Sequence, residues 1–87
     1  ALYRALPTRG MSDALGILVT ELGPERVVAT MPVHDATRQP FGILHGGASV
    51  ALAETTASLG AWANIDRARW SAVGLEINAN HVRAVRE

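Results

Sequence analysis

Hydrophobic and polar positions divide this chain into a short run of patterned stretches separated by turn residues. Residues 16–22, Gly16-Ile17-Leu18-Val19-Thr20-Glu21-Leu22, are β-branched and aliphatic, which predicts a strand. Gly23-Pro24-Glu25-Arg26 reads as a turn with Pro24 at its second position. Residues 27–33 read as the returning strand of a hairpin, with Pro32 marking its end or an edge. A polar loop over residues 34–42 follows. The pattern then changes to a helix from about residue 46 to about residue 63, apolar on nearly every side. After a loop at residues 64–70, residues 71–85 alternate: Val73, Leu75, Ile77, Ala79 and His81 share one face, and Glu76, Asn78 and Asn80 the other. This predicts a long strand. Residues 1–14 are weakly patterned and punctuated by Pro7 and Gly10, with a short helix expected around residues 12–15, capped by Ser12 or Asp13.

The order is therefore hairpin, helix, strand, stop. A helix hydrophobic all round expects burial, and the predicted strands wrap it thinly, since sheets usually hold about four to six. The expectation is the N-terminal part of a larger α+β domain, spanning residues 15–87 after a poorly patterned segment 1–14.

Bulk properties narrow the function classes. The chain has 87 residues, no formal net charge and no cysteine. It is at most one domain. Scattered arginines without a basic excess argue against nucleic-acid or membrane-surface binding. Without cysteine there is no disulfide framework and no thiolate metal site. No apolar run reaches the ~18–20 residues of a membrane span, and the start lacks a signal-peptide pattern. A soluble cytoplasmic protein is the expectation.

The chemistry concentrates in residues 39–54. Glu54 is the one ionisable residue of the apolar helix. A helical Glu is ordinarily solvated, but here Val50, Ala57, Ser58 and Ala61 surround it at helical spacing. An unpaired buried charge is costly, and a carboxylate in such a setting is a candidate catalytic group. Ser58, one turn further, is placed to bond that carboxylate or a water. At the helix start, His45-Gly46-Gly47 leaves backbone N–H groups exposed for an oxyanion, although the same residues also make an ordinary Gly-rich entry turn. Gly46 and Glu54 lie about 12 Å apart along the helix axis. A single helix spans this gap poorly for one reacting carbonyl. Two antiparallel copies would bring Gly46 of one subunit to Glu54 of the other, so a two-fold dimer with shared sites is expected. Ala48, Ala51, Ala53, Ala57, Gly60 and Ala61 are small enough for close approach, and Gly60 is read as serving packing. Gln39 offers a side-chain amide to a substrate carbonyl or to Glu54, or is simply a loop residue in water. His81 faces the apolar side of the last strand, as a cavity-lining or a satisfied histidine. His34, His45 and His81 lack the spacing of a shared metal site, and His34 suggests no more than a turn.

These motifs resemble the hot-dog-fold acyl-CoA thioesterases, most closely the branch acting on aromatic acyl thioesters. The matching residues are Met31-Pro32-Val33, Gln39-Pro40-Phe41-Gly42, Leu44-His45-Gly46-Gly47-Ala48-Ser49, Leu52-Ala53-Glu54 and the run from Gly74 to Arg83. The resemblance implies an antiparallel sheet wrapped around a central helix. It implies hydrolysis of acyl-CoA, such as 1,4-dihydroxy-2-naphthoyl-CoA of menaquinone synthesis or hydroxybenzoyl-CoA. By position it makes Glu54 the nucleophile or general base and Gly46 the N–H donor to the thioester carbonyl. Gln39 and His45 would hold that carbonyl, and Ser58 the hydrolytic water. His81, Gly47 and Phe41 fall to the substrate side. No metal or prosthetic group is implied, coenzyme A entering as part of the substrate, and the family forms dimers that commonly assemble into tetramers. The family domain is longer by several strands. A hydratase or dehydratase acting on acyl thioesters, and a non-catalytic acyl-CoA-binding module, are the alternatives.

Overall fold

The computed structural model describes residues 10–66 and 68–87. Helix α1 (Gly10–Leu15) leads into the antiparallel pair β1 (Leu18–Leu22) and β2 (Val27–Thr30), and α2 (Gly46–Trp62) follows. The expectations for residues 1–9, including the break at Pro7, lie outside the described residues. Ser12 and Asp13 fall inside α1 instead of capping it. What fixes this helix is its C-terminal end. Gly16 adopts φ +76°, its N–H bonds Asp13 O at 3.1 Å, and Ile17 N–H bonds Ser12 O at 2.9 Å. That double bond pattern is a Schellman stop, and it needs the left-handed conformation that glycine tolerates.

The hairpin forms where the alternation and the Gly-Pro turn predict it. Gly23 N–H bonds Arg26 O at 2.9 Å to close the turn. The register pairs Leu18 with Thr30 and Leu22 with Val27, with an irregularity between Val19 and Glu21. β2 stops before Pro32, whose missing N–H cannot extend a ladder. Helix α2 packs mainly on β2. Its C-terminal end is tied to the hairpin turn by Asn64, whose side-chain amide donates to Pro24 O and Gly60 O, each at 2.9 Å.

Two expectations need correction. First, α2 is not enclosed: among the described residues Ala48 is its one fully buried side chain, and Ala53, Ala57 and Ala61 form an exposed stripe. The hairpin covers only one side of a helix that is apolar on all sides. Second, residues 71–85 form no strand. Alternation describes how one segment divides its side chains between two faces, but a strand also needs neighbouring N–H and C=O groups. Here Val85 O, accepting from Leu44 N–H at 2.7 Å, anchors the far end of an otherwise unladdered segment. Leu75 is fully exposed (101%).

Gly60 meets the hairpin only loosely. A methyl group there would meet Val27 Cγ2 at 3.5 Å, which is ordinary contact. Packing on the hairpin therefore does not demand glycine. Gly60→Ala is expected to stabilise the protein by about 0.5–1 kcal/mol, because Gly costs that much more than Ala in a helix interior. The check is the urea midpoint. A decrease would mean that a neighbour outside the described contacts needs the space.

Candidate active site

The start of α2 is built by a small hairpin immediately before it. Gln39 N–H bonds Ile43 O at 2.9 Å and Gly42 N–H bonds Gln39 O at 3.0 Å. Pro40 supplies the fixed φ that suits the first turn position, and Gly42 takes φ +86° at the last. The sequence Gln39-Pro40-Phe41-Gly42 is thus turn chemistry as well as motif. Gln39 Oε1 accepts from Phe41 N–H, and no bond from the amide's N–H donors is found among the described residues. Phe41, at the tip, is 86% exposed.

The element below this turn is anchored by a residue that the sequence pattern did not single out. Thr37 is completely buried. Its hydroxyl donates to Pro32 O at 2.8 Å and accepts from His34 N–H at 2.9 Å, with His34 Nδ1 at 3.2 Å. Its carbonyl accepts from His45 N–H at 2.8 Å. One threonine therefore links the end of β2 to the first residue of the helix cap. A Thr among turn residues is the signal that would have found it, because Ser and Thr hydroxyls substitute for backbone partners in turns.

His45 is the N-cap of α2. Its backbone is extended (φ −69°, ψ 129°), and its Nδ1 accepts from Gly47 N–H at 2.8 Å. An accepting Nδ1 places the ring proton on Nε2, which becomes a donor. Gly47 N–H is thereby occupied, while Gly46 N–H has no acceptor among the described residues. The His81 ring lies over Gly46: a methyl there would sit 3.0 Å from His81 Cε1. Gln39, Gly46, Ser49 and His81 line one cavity of about 430 Å³, completed by Ile43, Leu44 and residues 82–85. Phe41 and Gly47 are not among its lining residues.

Glu54 occupies a second place. It is half-buried, and Ser58 Oγ donates to its Oε1 at 3.0 Å. Glu54, Ala57, Ser58 and Ala61 line a separate cavity of about 300 Å³ with Val73, Gly74 and Ile77. The single chain thus keeps the two expected groups in different cavities: the Gly46 N–H and its neighbours at the helix start, and a hydroxyl-bonded carboxylate two turns on. Among the described residues no group of three or more His, Asp or Glu side chains is placed to hold a metal ion, and no helix is long and apolar enough to cross a membrane.

Comparison with known proteins bears on this arrangement. The thioesterase superfamily model matches residues 41–87. The 1,4-dihydroxy-2-naphthoyl-CoA hydrolase of Escherichia coli is 46% identical over 86 residues, covering 95% of this chain and 62% of that protein. The proofreading thioesterase EntH of Cronobacter sakazakii is 52% identical over 75 residues, covering 86% of this chain and 54% of the relative. Among solved structures, a mutant thioesterase PA1618 from Pseudomonas aeruginosa superimposes with a TM-score of 0.85 at 44% identity, covering 91% of this chain and 57% of its own. A thioesterase from Haemophilus influenzae gives 0.83 at 48% identity, covering 91% and 55%. The chain spans about half to three fifths of the length of these relatives.

Proposed function

Because this chain belongs to the thioesterase superfamily and has its hot-dog fold, we propose that the protein hydrolyses acyl-CoA thioesters, with an aromatic acyl group as substrate. The observation that carries the reading is the division along α2. A Gly46 N–H with no acceptor among the described residues lies at the helix start, and a half-buried, Ser58-bonded Glu54 two turns away. That division suits a site assembled from two antiparallel helices of a two-fold dimer, and a tetramer made of such dimers is part of the proposal. The exposed Ala53, Ala57, Ala61 stripe supports close approach of a second copy. CoA thioesters as substrates put the reaction in the cytoplasm.

In this mechanism Gly46 N–H of one protomer, with the Gln39 amide and His45 Nε2–H, binds the thioester oxygen and stabilises the charge that develops on it. Glu54 of the other protomer attacks the carbonyl carbon, or takes a proton from the water that does. Ser58 orients the carboxylate. On the base route water adds to the carbonyl carbon, the carbon–sulfur bond breaks and the acid departs with that water's oxygen. On the nucleophilic route breaking the carbon–sulfur bond leaves an acyl–Glu54 anhydride, which water then hydrolyses to the acid and free Glu54. In both, the CoA thiolate takes up a proton. His81 beside Gly46 would face the acyl group, and Gly47 and Phe41, outside the cavity of the single chain, would meet it in the assembled dimer. The aromatic preference is supported by the substrate for which the naphthoyl-CoA hydrolase relative is named.

The test is thiol release from a panel of benzoyl, hydroxybenzoyl, 1,4-dihydroxy-2-naphthoyl and straight-chain CoA esters, using the full-length protein. Faster turnover of the aromatic esters is expected. Benzoyl-CoA has no carbon–carbon double bond open to simple hydration, so its cleavage also separates hydrolysis from hydratase chemistry. Acyl-CoA binding with no thiol release across the panel would overturn the enzymatic reading.

A further inference from the structure

Gly74, in the unladdered segment after α2, lies directly against Glu54. A methyl group at this position would overlap Glu54 Oε1 and stand 3.0 Å from Cδ and 3.7 Å from Cγ. No other glycine among the described residues has a carboxylate against it. Oε1 is also the oxygen to which Ser58 Oγ donates. One oxygen of the carboxylate is therefore confined between a hydroxyl and a bare backbone carbon. Oε2 has no bond among the described residues.

We propose that Gly74 is a positioning residue for Glu54. Its missing side chain lets the carboxylate lie flush on the segment that follows the helix, with Oε1 held by Ser58 and Oε2 left as the oxygen that attacks or takes the proton. This inference rests on the thioesterase reading. Backbone conformation does not account for the glycine. Gly74 is exposed, and its φ lies outside the left-handed region, so its backbone accepts alanine without strain. The group that an added methyl displaces is the end of a flexible side chain, which can swing away at little cost to folding. The consequence falls on the position of the carboxylate. An ångström of misplacement at a reacting group costs about 100-fold in rate.

The experiment compares wild type and Gly74→Ala as full-length proteins, by thiol release from benzoyl-CoA and by urea denaturation. The expected result is a kcat about 100-fold lower, with KM and the urea midpoint unchanged. A wild-type kcat in Gly74→Ala overturns the inference and leaves the thioesterase reading intact. So does a kcat loss accompanied by a raised KM or a lowered midpoint, because that pattern belongs to a general structural role. Wild-type protein that releases no thiol from any ester of the panel defeats the thioesterase reading itself, and the inference with it.

Discussion

Glu54→Gln is expected to lower kcat by about a thousandfold while the protein still folds and binds acyl-CoA. The amide has the size of the carboxylate, and its oxygen still accepts from Ser58 Oγ, 3.0 Å away in the native protein, so packing and the local bond survive. What disappears is the negative charge that attacks the carbonyl or takes a proton from water. Removing a positioned base or nucleophile costs about 10²–10⁴-fold. Because the loss falls on the chemical step, kcat and kcat/KM should fall together. Single-turnover thiol release gives the rate, and calorimetric titration with a non-hydrolysable CoA thioether gives the affinity. A kcat within tenfold of wild type would remove Glu54 from the mechanism.

Thr37→Val should produce the largest loss of stability, about 2–4 kcal/mol. Valine keeps the shape and removes the hydroxyl. His34 N–H then loses its acceptor and Pro32 O its donor, in part-buried bonds around a completely buried Thr37. Each buried polar group left without a partner costs about 1–3 kcal/mol. Thr37→Ser keeps the hydroxyl and removes a methyl group, for a cost of about 1 kcal/mol. The two variants therefore separate hydrogen bonding from packing, and urea midpoints at equal m-value report the difference. Equal midpoints for the Val and Ser variants would show that the hydroxyl contributes nothing. The effect should also reach the site, because the Thr37 carbonyl holds the His45 N–H at 2.8 Å, and His45 begins the helix that carries Gly46.

Both halves of the candidate site were legible along the chain because each is a local pattern. A lone acid in an apolar helix and a His-Gly-Gly helix entry can be seen in one segment, and Ser58 follows from helical spacing. The hairpin was equally visible, since β-branched runs around a Gly-Pro turn encode it without help from distant residues. Thr37 and Gly74 were not visible. Thr37 matters because three backbone neighbours converge on one hydroxyl. Gly74 matters because a carboxylate twenty residues earlier in the chain lies against it.

The sequence by itself determined the local elements: the hairpin, the turn-rich loop before α2 and the helix with its single carboxylate, while Gly16, read as the first residue of a strand, proved to be the stop of α1. Each depends on φ preferences or side-chain periodicity within a few residues. The tertiary structure alone decided that α2 keeps its Ala53, Ala57, Ala61 stripe exposed in the single chain. It alone decided that residues 71–85 lie unladdered despite their alternation, and that Gly46 and Glu54 open into different cavities. Periodicity states which faces a segment has. What covers a face, or bonds a free N–H, depends on backbone brought alongside from elsewhere.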